Sequence, residues 1–450
     1  LYGGWENDSD MHTAALLFFS NGGSSAYFLR VPADDAVAAE RTFNDRSSPT
    51  ASETLTLYAK NLGAWGNSIN ISIANSVTAG AVDLTVYYGG ISASNVVERF
   101  TDVTMEPASD RYLVSIVNAQ SNYIIAVDEN SAAEGATRLP VTGTNVSLTA
   151  GSDGVNTPTA TEIATAVEAF DTINFSLVLN APGITAAAAV NLLTTYAENR
   201  GDVFVVIDGA NLPVTAAGSN NDIIDLVDSY SATSYGAVYY PRISIKDPTT
   251  TASGVVRTAA PGGAVVGLFM STDASRGVFK APAGLSARIG GAVSVPALTT
   301  SELDTLNSNA AAVNAIRFVP GSGIVVMGSR TLNATYVDKY VPVRRTLIYL
   351  RKSLSELSQF AVFEPNNEVL WRRIVATLEG SLTNFWRQGG LRGATPAQAF
   401  YVKCDAELNP QASIDNGIVN IEVGVALQRP AEFVIIKIGQ FDGGTTVTVA

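Results

Sequence analysis

Two hydrophobic periods divide this chain. From about Ala33 to Ala150 short runs alternate: Thr54–Ala59, Ile69–Ile73, Val82–Tyr88, Val96–Phe100, Tyr112–Val117 and Tyr123–Val127. These runs are rich in β-branched and aromatic residues and are separated by Gly, Asn, Ser and Asp clusters. That pattern predicts an antiparallel sandwich or small barrel. The Gly/Ser/Thr/Asn-rich stretch Ala132–Thr159 reads as a linker or long loop. After Thr159 the period changes. Helical stretches at Glu162–Phe170, Ala186–Asn199 and Asp222–Tyr230 alternate with apolar strands at Phe175–Leu179, Val203–Ile207 and Gly236–Tyr240. Strands apolar on both faces and separated by helices predict a parallel sheet covered by helices. Later strands are read at Val265–Phe269, Ala315–Phe318 and Ile324–Met327.

The two ends add further elements. At the start, a helix around Met11–Ser20 runs through Asn21-Gly22-Gly23 into a strand-like run, Ala26–Val31. Near the end, Arg344–Leu357 looks helical, and Asn367–Gln388 carries the clearest helical pattern in the chain. Leu370, Ile374, Leu378, Leu382 and Phe385 share one face, Asn366 or Asn367 can cap the start, and Gly389-Gly390 ends it. Thr395-Pro396 opens a short helix, and two long strands follow, Ile418–Leu427 and Glu432–Gln440. A second β-prone run, Thr445–Val449, comes after Asp442-Gly443-Gly444. A terminal strand with nothing after it either closes its own sheet or adds to a neighbour's edge. Pattern alone favours the first. No internal repeat is visible.

Composition narrows the function. Only 15% of residues are charged, against about 25% in an ordinary soluble domain, which predicts that much of the outer surface meets other protein. The net charge of −13 argues against a partner read through phosphates, so no nucleic acid is expected. Cys404 is the single cysteine and His12 the single histidine. A disulfide or multi-Cys zinc site within the chain is thereby excluded, and the usual general base is missing from everywhere else. No apolar run approaches the ~18 residues of a bilayer span, no leader peptide is recognisable, and a reducing compartment is expected.

No catalytic constellation survives inspection. There is no G-x-S-x-G elbow, Walker loop or dinucleotide fingerprint, and Gly321-Ser322-Gly323 reads as a turn into a strand. Asp202 and Asp208 flank Val203–Ile207, and Asp208 sits where a parallel strand could project a catalytic carboxylate. A loop or cap role fits it better. Asp128-Glu129-Asn130 lacks the spacing of a calcium loop. His12 reads as a capping or surface residue, and Cys404 as a small buried hydrophobe. No catalytic residue, cofactor or metal is expected. The basic residues Arg344-Arg345, Arg351-Lys352, Arg372-Arg373, Arg387 and Arg392 gather in about 50 residues of an acidic chain. They form either solvated helix faces or a positive surface for a negative protein partner.

Several motifs together resemble the sheath proteins of contractile tails, found in bacteriophages and in phage-tail-like particles such as R-type bacteriocins. The strongest match runs from Phe363-Glu364-Pro365-Asn366-Asn367 through Leu370-Trp371-Arg372, Gly389–Gly393 and Ala399–Asp405 to Asn409, Ile414–Gly417 and Arg429–Val434. A middle block holds Ala197–Asp208, Ser234–Pro241, Lys280–Gly284, Gly328–Leu332 and Val343-Arg344-Arg345. The sandwich contributes Ala59–Asn70 with Trp65-Gly66-Asn67, then Val96–Phe100, Tyr112 and Asn118–Ile124. Phe18–Gly23 and Arg30-Val31 match the start of the family's core.

The resemblance implies a structural subunit, not an enzyme. Such subunits stack as hexameric rings around an inner tail tube and contract to drive the tube through a bacterial envelope. Baseplate and tail terminator proteins are further implied partners, and a virion tail assembled in the host bacterial cytoplasm is the implied location. The terminal arm, with Glu432, Phe433, Val434, Ile435, Ile436, Lys437, Ile438, Thr446, Val447 and Val449, is implied to donate strands to an adjacent subunit, reversing the preference from pattern alone. Arg372, Arg373, Arg387 and Arg392 are implied to face the tube. Family members usually carry an N-terminal arm before the segment matching Leu1, which this sequence does not include.

The expected organisation is α/β and β multidomain. It comprises the start of a core domain (1–32), an antiparallel β-sandwich (33–150) and a subtilisin-like α/β domain lacking an active site (151–335). An α+β C-terminal domain (336–431) and a C-terminal β-arm (432–450) complete it. The competing class is a degenerate or active subtilisin-like hydrolase. A tail-fibre or surface adhesin is a third.

Overall fold

The computed structural model describes residues 10–214, 222–308, 312–333, 335, 338–432, 441–442 and 445–446. The first described element is helix α1 (Asp10–Ser20). It divides into two compact units. One is Leu29–Ala166; the other joins the stretch ending at Phe28 to everything from Val167 onward.

The first unit holds β1 (Glu40–Asn44), β2 (Glu53–Ala59), β3 (Ile69–Asn75), β4 (Val82–Tyr88), β5 (Val96–Val103), α2 (Leu113–Gln120), β6 (Ile124–Asp128) and β7 (Gly143–Ser147). Two antiparallel sheets result, ordered β1-β2-β6 and β5-β4-β3-β7. Ile69, Ile71 and Ile73 of β3 and Val82, Leu84 and Val86 of β4 are fully buried and share one core with Leu55 and Leu57 of β2. Period-two alternation thus sets the register, since a one-residue slip would turn all of these toward water.

Three expectations fail in this part of the sequence. Tyr112–Val117 is not a strand but the start of α2, whose Leu113 and Val117 lie four residues apart on its buried face. Both amide atoms of Asn118 pin the helix to the Ala126 backbone in β6, at 2.8 and 2.9 Å. Short apolar runs fit either period, and here packing decided. The supposed linker contains β7, which pairs with β3 despite its polar sequence, and Ser147 Oγ donates to Asn70 Oδ1 at 2.8 Å. Ala26–Val31 forms no strand.

After α3 (Ala160–Val167), the second unit runs β8 (Leu177–Asn180), α4 (Ala187–Arg200), β9 (Val203–Asp208), α5 (Ile223–Asp228), β10 (Gly236–Tyr240), β11 (Ile243–Lys246), β12 (Val256–Ala259), α6 (Gly262–Arg276), β13 (Ala292–Ser294), α7 (Thr300–Ser308), β14 (Val313–Val319) and β15 (Gly323–Val326). The main sheet has the order β15-β14-β10-β9-β8, with β8, β9, β10 and β14 parallel and β15 antiparallel to β14. A smaller antiparallel sheet has the order β12-β11-β13. β9 and β10 are buried on both faces. Phe204, Val206 and Tyr239 share a core with α1 and α6, whereas Val205, Ile207 and Val238 share another with α4 and α5. The four parallel strands follow chain order without reversal, so among them there is no topological switch point of the kind where doubly wound sheets hold ligands.

The expected strand at Val265–Phe269 is instead the middle of α6. Gly263 and Gly267 stand one helical turn apart and let α6 approach α1 closely. A Cβ on Gly263 would lie 2.2 Å from the Ala14 carbonyl oxygen, and one on Gly267 would lie 2.6 Å from that of Phe18. Gly267→Ala must therefore push the two helices apart. It is expected to lower stability by about 1–3 kcal/mol, read as a lower denaturant midpoint at unchanged slope.

The C-terminal part adds α8 (Val341–Ser358), α9 (Glu368–Arg387), α10 (Pro396–Ala399), β16 (Phe400–Lys403), α11 (Gln411–Asp415) and β17 (Glu422–Val425). The long strand expected at Ile418–Leu427 shortens to β17, because its antiparallel partner β16 is only four residues long. A last small hairpin pairs β18 (Phe441–Asp442) with β19 (Thr445–Thr446).

Candidate assembly surface

Arg330 and Glu432 meet where the chain leaves the β16–β17 module. Arg330 follows β15, is 7% exposed, and is fixed through its backbone by the Asn314 amide. Its guanidinium donates from Nε and Nη2 to the two Glu432 carboxylate oxygens at 2.6 and 2.7 Å, and the Tyr340 hydroxyl donates to the same carboxylate at 3.0 Å. This fork geometry is the strong form of an ion pair. Burial pushes the Glu432 carboxyl up, but the Arg330 and Tyr340 donors outweigh it and hold the group below its ordinary value. The contact is therefore complete at neutral pH and is lost only as pH falls through that depressed value. Glu432→Gln removes the charge, so limited proteolysis after residue 432 is expected to speed up several-fold at pH 7 in the variant, and in the parent only at acid pH.

The expected strand-donating residues Phe433, Val434, Ile435, Ile436, Lys437, Ile438, Val447 and Val449 lie outside the described residues. The Thr446 backbone is in β19. The receiving end is better defined. β16 and β17 form a sheet of only two strands, both with outer edges unpaired among the described residues. Such a ribbon is marginal alone, and α9 supports it from one side. Leu370, Trp371, Ile374 and Leu378 of α9 pack with Cys404, and Leu382 and Phe385 pack with Phe400. Asn367 caps the helix, its side-chain oxygen accepting from the Val369 and Leu370 amides at 2.9 and 3.1 Å.

Arg372, Arg373 and Arg387 stand on the opposite side of α9, as 100° per residue requires, and Arg392 follows in the next loop; all four are exposed. None makes an ion pair among the described residues. The arginines do not converge on one point. Arg372 and Arg373 mark one end of the helix and Arg387 with Arg392 the other, about 22 Å apart at the helical rise, with exposed Ala376 and Gly380 between them. The Arg373 guanidinium lies over the Phe360 ring, 4.5 Å from its centre.

The residues singled out as chemical candidates have structural partners. Asp208 is fully buried and caps α6, accepting from the Gly262 amide at 2.6 Å, the Gly183 amide at 3.0 Å and Asn180 Nδ2 at 3.3 Å. Burial raises its carboxyl above the ordinary range against those three donors. Asp202 pairs with Arg200 Nε at 2.7 Å, and Asp128 is held by Tyr112 and Arg138 at 2.6 and 2.8 Å. Cys404 is buried, accepting a long contact from Asn409 Nδ2. His12 lies in the first turns of α1. Among the described residues no three His, Cys, Asp or Glu side chains are placed to hold a metal ion, and no helix is long and apolar enough to cross a membrane. The anchoring role of Arg330, Tyr340 and Glu432 was not readable from sequence; only an acidic residue heading a β-prone run hinted at it.

Comparison with known proteins bears on this surface. The model of the phage tail sheath C-terminal domain matches residues 338–441, the stretch that carries α8, α9 and the β16–β17 ribbon. A chain in the contracted baseplate of the anti-feeding prophage is 31% identical over 63% of this chain and 76% of its own, with a TM-score of 0.53. The chain belongs to the contractile tail sheath family. A second sheath relative, from the contracted PVC extracellular contractile injection system, is 30% identical over 63% of this chain and 75% of its own, with a TM-score of 0.54. A sheath tail protein from Listeria innocua shares the fold at 14% identity, covering 88% of this sheath protein and 82% of its own chain at a TM-score of 0.58. No curated protein sequence matches. The sheath protein is thus a mixed α/β structural subunit of a contractile particle.

Proposed function

We propose that this sheath subunit polymerises as stacked hexameric rings around an inner tail tube, and that the polymer shortens to drive the tube through a bacterial envelope. The observation that carries the reading is the two-stranded β16–β17 ribbon, its outer edges unpaired among the described residues, in a chain that leaves Glu432 for a β-prone terminal run. A strand given by one copy and accepted by the next completes both without a new hydrophobic core. Residues 433–449 are the donated arm in this reading. The β8–β15 region serves as the subtilisin-like domain without an active site, and the Leu29–Ala166 sandwich as a separate domain. The exposed α9 arginines suit an acidic tube surface. Baseplate and terminator proteins close the two ends, and the assembly forms in the host bacterial cytoplasm before serving as a virion or particle tail.

Contraction then requires two packings of one fold separated by a modest free energy per copy and summed over many copies. Electron microscopy of the purified, concentrated protein tests the reading. Tubes with six-fold rings are expected. A chain that stays monomeric through all salt and concentration conditions contradicts it.

A further inference from the structure

The loop between α8 and α9 presents a side chain that folding alone does not explain. Phe363 is fully exposed, and its backbone has φ +66°, a left-handed conformation that bulky residues avoid. Val362 beside it is 63% exposed, and Val369 in the first turn of α9 is 67% exposed. The loop is braced from both sides. The Val362 amide donates to the Gln359 carbonyl at 3.1 Å, and the Glu364 amide to that of Ala361 at 3.2 Å. Trp371 Nε1 donates to Asn366 Oδ1 at 2.8 Å, while Asn366 Nδ2 reaches the Ile418 carbonyl at 3.0 Å. Single exposed apolar residues are ordinary. A strained aromatic on a braced tip, with an apolar neighbour beside it, has the make-up of an interface anchor.

We propose that Phe363, with Val362 beside it in the loop, is a knob that seats in a second copy of this chain. Charge selects that occupant. Residues 341–403 carry nine Lys and Arg against four Glu, while the rest of the chain carries 19 Lys and Arg against 37 Asp and Glu. The knob leads into α9, whose second turn carries the exposed Arg372 and Arg373 beyond the exposed Glu364 and Glu368, and the rest of another copy carries a large excess of acidic residues. Another similar chain, 27% identical with a TM-score of 0.52, comes from the helical sheath of the anti-feeding prophage in its contracted state. A helical array repeats one heterologous contact, so a knob on one face and its seat on another are what such an array needs. The inference rests on the sheath reading above, and it assigns a contact independent of strand donation.

Phe363→Gly separates the two roles of this residue, because glycine relieves the left-handed backbone while removing the ring. The full-length variant is expected to melt at or above the parent's temperature. The concentration at which it forms sedimentable polymer is expected to rise at least ten-fold. Phe363→Leu, which keeps a large apolar group, is expected to recover part of that loss. A glycine variant that polymerises at the parent's concentration overturns the proposal. So does one that polymerises normally but no longer co-purifies with the inner tube, since the knob would then serve another partner. If the parent itself forms no polymer at any concentration, the sheath reading fails, and this contact fails with it.

Discussion

Cutting the chain after Arg429 is expected to leave a folded protein that stays monomeric at concentrations at least 100-fold above those where the full chain polymerises. The core supports the first half of this expectation. Every buried apolar residue of the α9 module lies before position 405, and its partly buried partners end at Leu427. The cut removes Glu432, so among the described residues the Arg330 side chain keeps only the Asn307 carbonyl as a hydrogen-bond partner. A largely buried charge deprived of its partner in this way costs about 3 kcal/mol, a loss that lowers the melting temperature without unfolding the chain. The second half follows from strand donation. A donated strand of the length of Glu432–Gln440 would make on the order of five main-chain hydrogen bonds at about 1 kcal/mol each, with apolar side chains buried in addition. Sedimentation with circular dichroism checks both halves. Glu432→Gln is the control, since it loosens the root while leaving the strand in place, and it is expected to weaken polymerisation without abolishing it.

Arg345→Met is expected to destabilise the second unit by about 3 kcal/mol. Arg345 lies in the second turn of α8 and is 6% exposed. Its guanidinium donates to both Asp273 carboxylate oxygens, one at 3.0 Å, and lies 4.6 Å over the Phe269 ring centre. Asp273 and Phe269 are both on α6, so this one side chain ties α8 to the helix that packs on the main sheet. Methionine fills much of the space but leaves the Asp273 carboxylate half-covered and unpaired. The double variant Arg345→Met with Asp273→Leu is expected to recover most of the loss, because two apolar groups replace the pair. Denaturant titration of both variants checks this. A double variant no better than the single one would show that the loss comes from packing on Phe269. Mechanically the contact matters because α8 joins the main sheet to the ribbon proposed to carry load between copies.

How much of this could be read in the sequence depended on length and periodicity. α9 was legible to within a residue, since five apolar positions at helical spacing, an Asn cap and a following Gly pair all agree. β9 and β10 were legible because continuous apolar runs bounded by helices fit a parallel sheet. α6 was misread, since Val265–Phe269 is as apolar as a buried strand, and the Gly263 and Gly267 spacing has meaning only once α1 lies against it. α2 was misread because Tyr112–Val117 is too short to show its period. At the candidate surface, the exposure of Arg372, Arg373 and Arg387 follows from the helical wheel of α9, whereas Arg392 lies in the loop after it. The clamp on Glu432 did not, because Arg330 is about a hundred residues away and only the fold brings the two together.

The central claim is that the chain beyond Glu432 completes the sheet of another copy. A cryo-EM map of the assembled polymer, at a resolution that traces the main chain, tests it most directly. The account predicts continuous density from Glu432 of one subunit to an edge of the β16–β17 ribbon in its neighbour, with main-chain hydrogen bonds between the two. Density that turns back after Glu432 and pairs with the ribbon of the same subunit contradicts it.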